Sequence, residues 1–179
     1  MLILTVIPGC SNNQTYKSQN KVVEYGDFKC PYCKKVDEHI MPELKKDYID
    51  KGKVDYQFVN VVFLGNNSIK GSRAGHAVEN ISPKQYLTFQ KLMFSKQSHN
   101  ENEWITEKLI DQQIDKLDIS NKKAKQIKIE YKTKDSRSWK DAKKDINRYK
   151  KISEVPTVYV NGKKLKNPYS YKEYKKHLK

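Results

Sequence analysis

An α/β domain interrupted by an all-helical insertion is the fold class the sequence predicts, and three observations predict it. A short β-branched and aromatic run, Lys21-Val-Val-Glu-Tyr25, is followed by a helical pattern and then by a second apolar run, Val54 to Leu64. From Ser68 to about Lys150 the pattern is helical throughout. Strand character returns at Thr157-Val-Tyr-Val160, before an Asn-Gly turn and a last helix.

The chain has 179 residues, enough for one domain with an inserted subdomain and a sizeable core. Hydrophobic residues make up 36% and charged residues 32%, and 36 basic against 21 acidic side chains leave a net charge of +15. Nearly all of that charge is lysine, scattered on helices among acids, as in Lys122-Lys123, Lys143-Lys144 and Lys175-Lys176. A nucleic-acid binder brings arginine forks or a recognition motif beside its basic patch. Neither is present, so the reading is a solvated basic surface and no nucleic-acid partner.

Met1 to Ile7 is a short apolar run, far below the roughly 20 residues a membrane-spanning helix needs. It reads as the end of a secretory signal, with residues 1–9 as its remnant. Ile7-Pro8-Gly9-Cys10 resembles a bacterial lipobox, with an apolar residue three positions before the cysteine and a small one directly before it. Cys10 is therefore the expected lipidation site, and residues 10–20 a polar tether to the outer face of the cell membrane. The other reading is an ordinary N-terminal strand with a free cysteine.

Lys21 to Tyr25 suits a buried strand. Pro31 suits the first turn of the helix that follows, where its missing N–H costs nothing. Val36, Ile40, Leu44 and Tyr48 then recur every four residues along one face, with Pro42 expected to kink the helix. Lys51-Gly52 supplies a basic last turn and a glycine stop. Val54 to Leu64 is the second strand, and strand–helix–strand order predicts a right-handed βαβ unit. In the helical stretch, Ser82-Pro83-Lys84-Gln85 reads as a capping box, the polar stretch before Trp104-Ile105 as a second helix start, and Ser120 as a third. Asn161-Gly162 between Thr157–Val160 and Lys163-Lys-Leu165 is a strong hairpin signal, because both residues accept positive φ. Ser170-Tyr-Lys-Glu173 is another capping box, opening a helix that turns Tyr171, Tyr174 and Leu178 inward.

Three cysteines are too few and too unevenly placed for a disulfide-stapled scaffold. Cys30 and Cys33 straddle a helix start, and at i and i+3 they lie on one face within disulfide reach. Cys30 is expected to be exposed at the helix N-terminus, where free backbone N–H groups and the positive end of the dipole stabilise a thiolate. Cys30 is thus the attacking sulfur, and Cys33, one turn deeper, resolves the mixed disulfide. A lone C-x-x-C also occurs in zinc half-sites and by chance. No second ligand pair exists and the four histidines are dispersed, so no metal is expected. Lys34 in place of histidine argues against haem attachment. Glu24 stands six residues before Cys30 in an otherwise apolar strand. If that strand is central, its carboxyl is buried, its pKa is raised and it can relay the proton of Cys33. If the strand end is open, Glu24 simply reaches solvent.

Val23-Glu-Tyr-Gly-Asp-Phe-Lys-Cys-Pro-Tyr-Cys33, Val62-Phe-Leu-Gly65 and Glu154-Val-Pro-Thr-Val-Tyr-Val-Asn-Gly162 together resemble the DsbA-like thiol-disulfide oxidoreductases, in their Gram-positive lipoprotein branch. The resemblance runs from about Lys21 to the C-terminus. It implies a thioredoxin fold with an inserted all-helical domain: residues 21–65 and 151–179 the thioredoxin parts, residues 66–150 the insertion. It also implies oxidation of reduced proteins arriving outside the membrane, without a cofactor, by a monomer that an unidentified reoxidant restores. Cys30 is then the nucleophile, Cys33 the resolving thiol and Glu24 the buried acid. Pro156 is the cis-proline facing the pair, and Val155 presents its backbone to the substrate strand. Pro31 and Tyr32 form the active-site dipeptide. The family's best-studied dipeptide is Pro-His, and Tyr32 lacks the imidazole that helps hold a thiolate, so Cys30 is expected to be less acidic than in the strongest oxidants. The same residues serve a dithiol reductant or isomerase. A cationic surface lipoprotein that binds wall polyanions would leave the C-x-x-C merely structural.

Overall fold

The computed structural model describes residues 18–65, 67–97 and 104–179. Cys10, the expected signal remnant over residues 1–9 and most of the expected tether over residues 10–20 lie outside the described residues. Strand β1 (Asn20–Gly26) is central in a four-stranded sheet of order β2-β1-β3-β4. It runs parallel to β2 (Val54–Asn60) and antiparallel to β3 (Thr157–Val160), which pairs with β4 (Lys163–Lys164). Five α-helices of the sequence between β2 and β3 supply the insertion: α3 (Ser68–Ile81), α4 (Tyr86–Ser95), α5 (Glu107–Ile114), α6 (Asn121–Lys132) and α7 (Arg137–Arg148). This is the thioredoxin arrangement that the resemblance implies, with helices inserted into it.

The β1 helix connection is α1 (Pro31–His39) and α2 (Met41–Leu44), continued by one π-helical turn over Lys45–Ile49. The break falls where Pro42 has no N–H to give to the turn before it. Val36, Ile40 and Leu44 are buried, as the four-residue spacing predicts, and Tyr48 is half-buried. They pack with Val22, Val54, Val158, Val160 and Tyr174 of the closing helix α8 (Tyr171–His177). Tyr171 and Leu178 cover the rim of that cluster. A second cluster joins Phe28 and Phe58 to Phe89, Met93 and Phe94 of α4 and to Ile110, Ile114 and Ile127 of α5 and α6. The Phe28 ring meets Phe58, Phe89 and Phe94 at centroid separations of 5.3, 6.2 and 5.4 Å.

Four details depart from the sequence expectations. Strand β2 stops at Asn60 rather than Leu64. The Asn60 carboxamide takes the Val62 N–H, Val62 adopts φ 51°, and Phe63 and Leu64 project outward, 45% and 39% exposed. Ser82 closes α3 rather than capping the next helix. Its N–H binds the Val78 carbonyl, its hydroxyl is buried without a partner, and Pro83–Gln85 forms a 3₁₀ turn before α4. At Ser170 it is the carbonyl, not the hydroxyl, that receives the Glu173 N–H. Helix α5 starts at Glu107, with Thr106 accepting from the Leu109 N–H. Ser120 caps α6 as expected, and Ser136 caps α7 in the same way. Asn161 and Gly162 turn the hairpin at φ 50° and 80°. The six lysines of the paired runs are all exposed.

Phe28 lies at the meeting point of the sheet and the inserted helices. Phe28→Ala is expected to cost about 3–5 kcal/mol, by the precedent of buried phenylalanine truncations. Denaturant unfolding of the reduced protein measures it. A loss below about 1 kcal/mol would show that the site collapses or that the contacts are not native.

Candidate active site

The site is assembled where β1 gives way to α1. Gly26 ends the strand against the Phe58 ring, and a Cβ there would stand 2.5 Å from Phe58 Cε2 and 3.2 Å from Cys33 Sγ. Only glycine lets the strand pass so close to the second sulfur. The chain then turns through Asp27, Phe28 and Lys29, with the Cys30 N–H donating to the Asp27 carbonyl at 2.9 Å. Cys30 is the N-cap of α1 in an extended conformation, and Pro31 occupies the first turn. The Cys33 N–H donates to Cys30 Sγ at 3.3 Å, so the sulfur occupies the position of a capping oxygen. Both cysteines are free thiols.

The sequence expectation of an exposed Cys30 is corrected here: the residue is 2% exposed, packed with Val155, and its thiol donates to the Val155 carbonyl at 3.7 Å. Cys33 is fully buried. Tyr32 is the exposed member of the motif, with Lys35 over its ring. The Val155–Pro156 bond is cis. Cys30, Cys33, Pro31, Tyr32, Val155 and Pro156 therefore meet at one place. Glu24 is buried beneath them on β1, 1% exposed, paired with Phe58 and Val158 of the flanking strands.

The two thiols are driven apart electrostatically. Hydrogen bonding with the Cys33 thiol, helped by the Cys33 and Tyr32 backbone N–H groups, brings Cys30 down to about 7, against desolvation and the Asp27 charge. Burial pushes Cys33 well up, and Cys30 and Glu24 push in the same direction. Burial also raises Glu24 from its ordinary 4.5 to about 8, although the Tyr56 hydroxyl donates to its Oε2 at 2.9 Å and favours the anion. At neutral pH the site thus offers an acidic sulfur, a protonated sulfur and a protonated carboxyl.

Sequence reasoning missed several contributors. Gln90 Nε2 on α4 donates to the Tyr56 hydroxyl and to Asp37 Oδ1, both at 3.2 Å, and burial raises Asp37 to about 6. Asp37 stands one turn beyond Cys33, a spacing that could have flagged it. Nothing local links residue 90 to residue 24. Asp27 and Gly26, inside the motif itself, carried a signal in their position but no distinctive chemistry.

A thioredoxin fold that sets a C-x-x-C at a helix start, opposite a cis-proline and over a buried acid, defines a thiol-disulfide oxidoreductase. The comparisons agree. The thioredoxin family profile matches residues 15–179. The probable disulfide bond formation protein D of Bacillus anthracis is 40% identical over 153 residues, covering 83% of this chain and 67% of that protein. Disulfide bond formation protein D of Bacillus subtilis is 36% identical over 154 residues, covering 86% and 68%. Oxidised BdbD from Bacillus subtilis superposes with a TM-score of 0.75 at 34% identity, over 89% of this chain and 85% of that one. DsbA from Chlamydia trachomatis, 17% identical, shares the fold with a TM-score of 0.71 over 98% and 94% of the two chains. The chain belongs to the thioredoxin family, among its DsbA-like thiol-disulfide oxidoreductases.

The Glu24 carboxyl gives a signed prediction. Between its ordinary 4.5 and the folded value of about 8 the folded protein keeps a proton that the unfolded chain has lost. Wild-type stability therefore falls as pH rises through that window, and the loss is complete above it. Glu24→Gln lacks this dependence while keeping an acceptor for Tyr56. Its stability relative to wild type is expected to grow from about pH 5 to about pH 8 and then level off. Denaturant midpoints across pH read this out, and a flat difference would mean the carboxyl is solvated.

Proposed function

We propose that the protein donates a Cys30–Cys33 disulfide to exported proteins that carry reduced cysteines, outside the cytoplasmic membrane. The observation that carries this is the Cys30 sulfur held as the N-cap of α1, accepting the Cys33 N–H. In the oxidised protein a client thiolate attacks Cys30 Sγ, the Cys30–Cys33 bond breaks, and a mixed disulfide to Cys30 forms. Cys33 departs with the electron pair. Because burial makes a Cys33 thiolate costly, it takes the proton that Glu24 holds at neutral pH. A second client thiolate then attacks the client sulfur of the mixed disulfide, and Cys30 leaves as a thiolate, a good leaving group at a pKa of about 7. The client dithiol is oxidised and the protein is left with both cysteines reduced. The cis Val155–Pro156 segment lies across Cys30, and the Val155 carbonyl, now occupied by the Cys30 thiol, is the backbone group offered to a substrate strand. Restoration of the disulfide needs a separate oxidant.

The reading extends to residues whose roles rest on sequence. Cys10 would carry the lipid anchor that holds the enzyme at the outer face of the membrane, and among the described residues no helix is long and apolar enough to cross it. The helical insertion would span residues 66–150, and the enzyme would act as a monomer.

A second reading runs the chemistry in reverse, as a dithiol reductant or isomerase. The Cys30 value favours it, since about 7 is what a reducing thioredoxin shows, and Tyr32 supplies no imidazole. A redox equilibrium with glutathione separates the two. The oxidase reading expects a potential more oxidising than about −200 mV, and a value near −270 mV would overturn it in favour of the reductant. Cys33→Ser should trap a mixed disulfide with a reduced client, and Cys30→Ser should abolish exchange. Persistent exchange in Cys30→Ser would remove the redox assignment altogether.

A further inference from the structure

Asp27 touches no reacting atom in the exchange described above, yet its carboxylate is fully buried within three residues of Cys30. Oδ1 accepts from the Lys29 N–H at 2.8 Å and from the Ser68 hydroxyl at 2.5 Å, and Oδ2 accepts from the Leu64 N–H at 2.8 Å. Through these bonds it ties three segments together: the turn that carries Cys30, the loop that follows β2, and the first residue of α3. Its backbone carbonyl adds the bond from the Cys30 N–H. All the partners are neutral donors, and among the described residues no cation pairs with it.

Such an arrangement needs an explanation. A buried carboxylate gives up its hydration, and here three neutral donors take the place of water. An asparagine or a serine would also tie loops together through hydrogen bonds, without the charge. What a carboxylate does that they do not is place a fixed negative charge beside the sulfur that must become negative.

We propose that Asp27 is a positioning residue for the exchange reaction: it locks the Cys30 turn onto the loop after β2, and its charge restrains thiolate formation at Cys30. The thiol-disulfide assignment of Cys30 is its premise. The consequence is a weaker oxidant than the helix start alone would make, because a less stable thiolate leaves the reduced form less favoured. Asp27 acts against the N–H groups of Cys33 and Tyr32, which pull the same thiol toward the anion, and its repulsion of Cys30 is felt at the sulfur. The other titratable groups around the pair are Cys33 itself, Glu24 on β1, the exposed Tyr32, and Tyr169 from the loop before α8, whose phenol is influenced by both thiols. None of them bridges the Cys30 turn to α3, so the two effects of Asp27, tether and charge, belong to it alone among these groups.

The test uses the full chain, with ultraviolet thiolate absorbance titrated against pH and the glutathione equilibrium measured at about pH 8. Asp27→Asn is expected to lower the Cys30 midpoint by about one pH unit and to shift the glutathione equilibrium toward the reduced protein by up to about tenfold. Ser68→Ala removes one neutral donor and keeps the charge, leaving the carboxylate less well stabilised by its neighbours. It is expected to move the midpoint the other way, upward. A midpoint in Asp27→Asn that is unchanged or higher would overturn the proposal. So would a downward shift in both variants, which is what a purely structural loosening of the turn predicts. If Asp27→Asn does not fold, Ser68→Ala decides: an upward midpoint supports the role, and an unchanged or lower one removes it. Failure of the premise looks different, because wild-type Cys30 would then show neither an acid midpoint nor glutathione exchange.

Discussion

The 3.3 Å hydrogen bond from the Cys33 N–H to the Cys30 sulfur is the contact on which the site depends, because it decides what kind of atom starts α1. A helix leaves its first N–H groups without intrahelical partners, and most chains satisfy them with a serine, threonine or aspartate oxygen. A sulfur is a poor acceptor when protonated and a good one when ionised. Placing it at the cap means that the helix start is better satisfied by the thiolate than by the thiol. The same bond holds the peptide that leads into Cys33, so the second sulfur is fixed one turn behind the first. Acidity, which owes most to hydrogen bonding with the Cys33 thiol and then to this N–H, and disulfide geometry both begin at this helix start.

Burial then separates the partners. Cys33 is fully buried beside Gly26 and Phe58, and Glu24 sits below in the centre of the sheet. Both groups resist ionisation for the same reason, the loss of solvation. Each therefore holds its proton where Cys30 does not. In the exchange proposed above, this asymmetry gives Cys30 the covalent bond and Cys33 the proton. The Tyr56 hydroxyl moderates the arrangement by keeping Glu24 within reach of ionisation near neutral pH. Without that donor, burial would hold the carboxyl's pKa higher still.

Much of this was legible in sequence because it is local. The period of four in Val36, Ile40 and Leu44, the proline at the first helical turn and the Asn-Gly hairpin each report on a few neighbouring residues. Glu24 was legible too, since a lone acid in a strand of valines asks what pays for it. The expectations that failed did so for identifiable reasons. Phe63 and Leu64 look like strand residues, but the Asn60 side chain turns the chain at Val62 and leaves both exposed. Ser82 and Ser170 have the right spacing for capping boxes, yet neither hydroxyl is aimed at the third N–H, because each preceding segment already fixes the backbone. Cys30 is more enclosed than its helix position alone indicates, because Val155 comes from 125 residues away in the chain. Gln90 and Tyr56 were invisible for the same reason: only the packed fold brings α4 to the underside of β1.

The inserted helices are consequently more than a decoration on a thioredoxin sheet. They grip the two residues at the heart of the turn before Cys30 by three independent means. Ser68 of α3 binds the Asp27 carboxylate, Gln97 beyond α4 donates to the Phe28 carbonyl at 2.8 Å, and Phe89 and Phe94 of α4 enclose the Phe28 ring. Take the helices away and an aromatic ring, a carbonyl and a carboxylate are stranded together, two or three residues from the reactive sulfur. A sheet and α1 could still form, but the turn that sets the angle of the first helical residue would have lost most of its restraints. The backbone that delivers Cys30 is built jointly by both parts of the chain: the four-residue motif makes the sulfur acidic, and the inserted helices hold the turn that presents it.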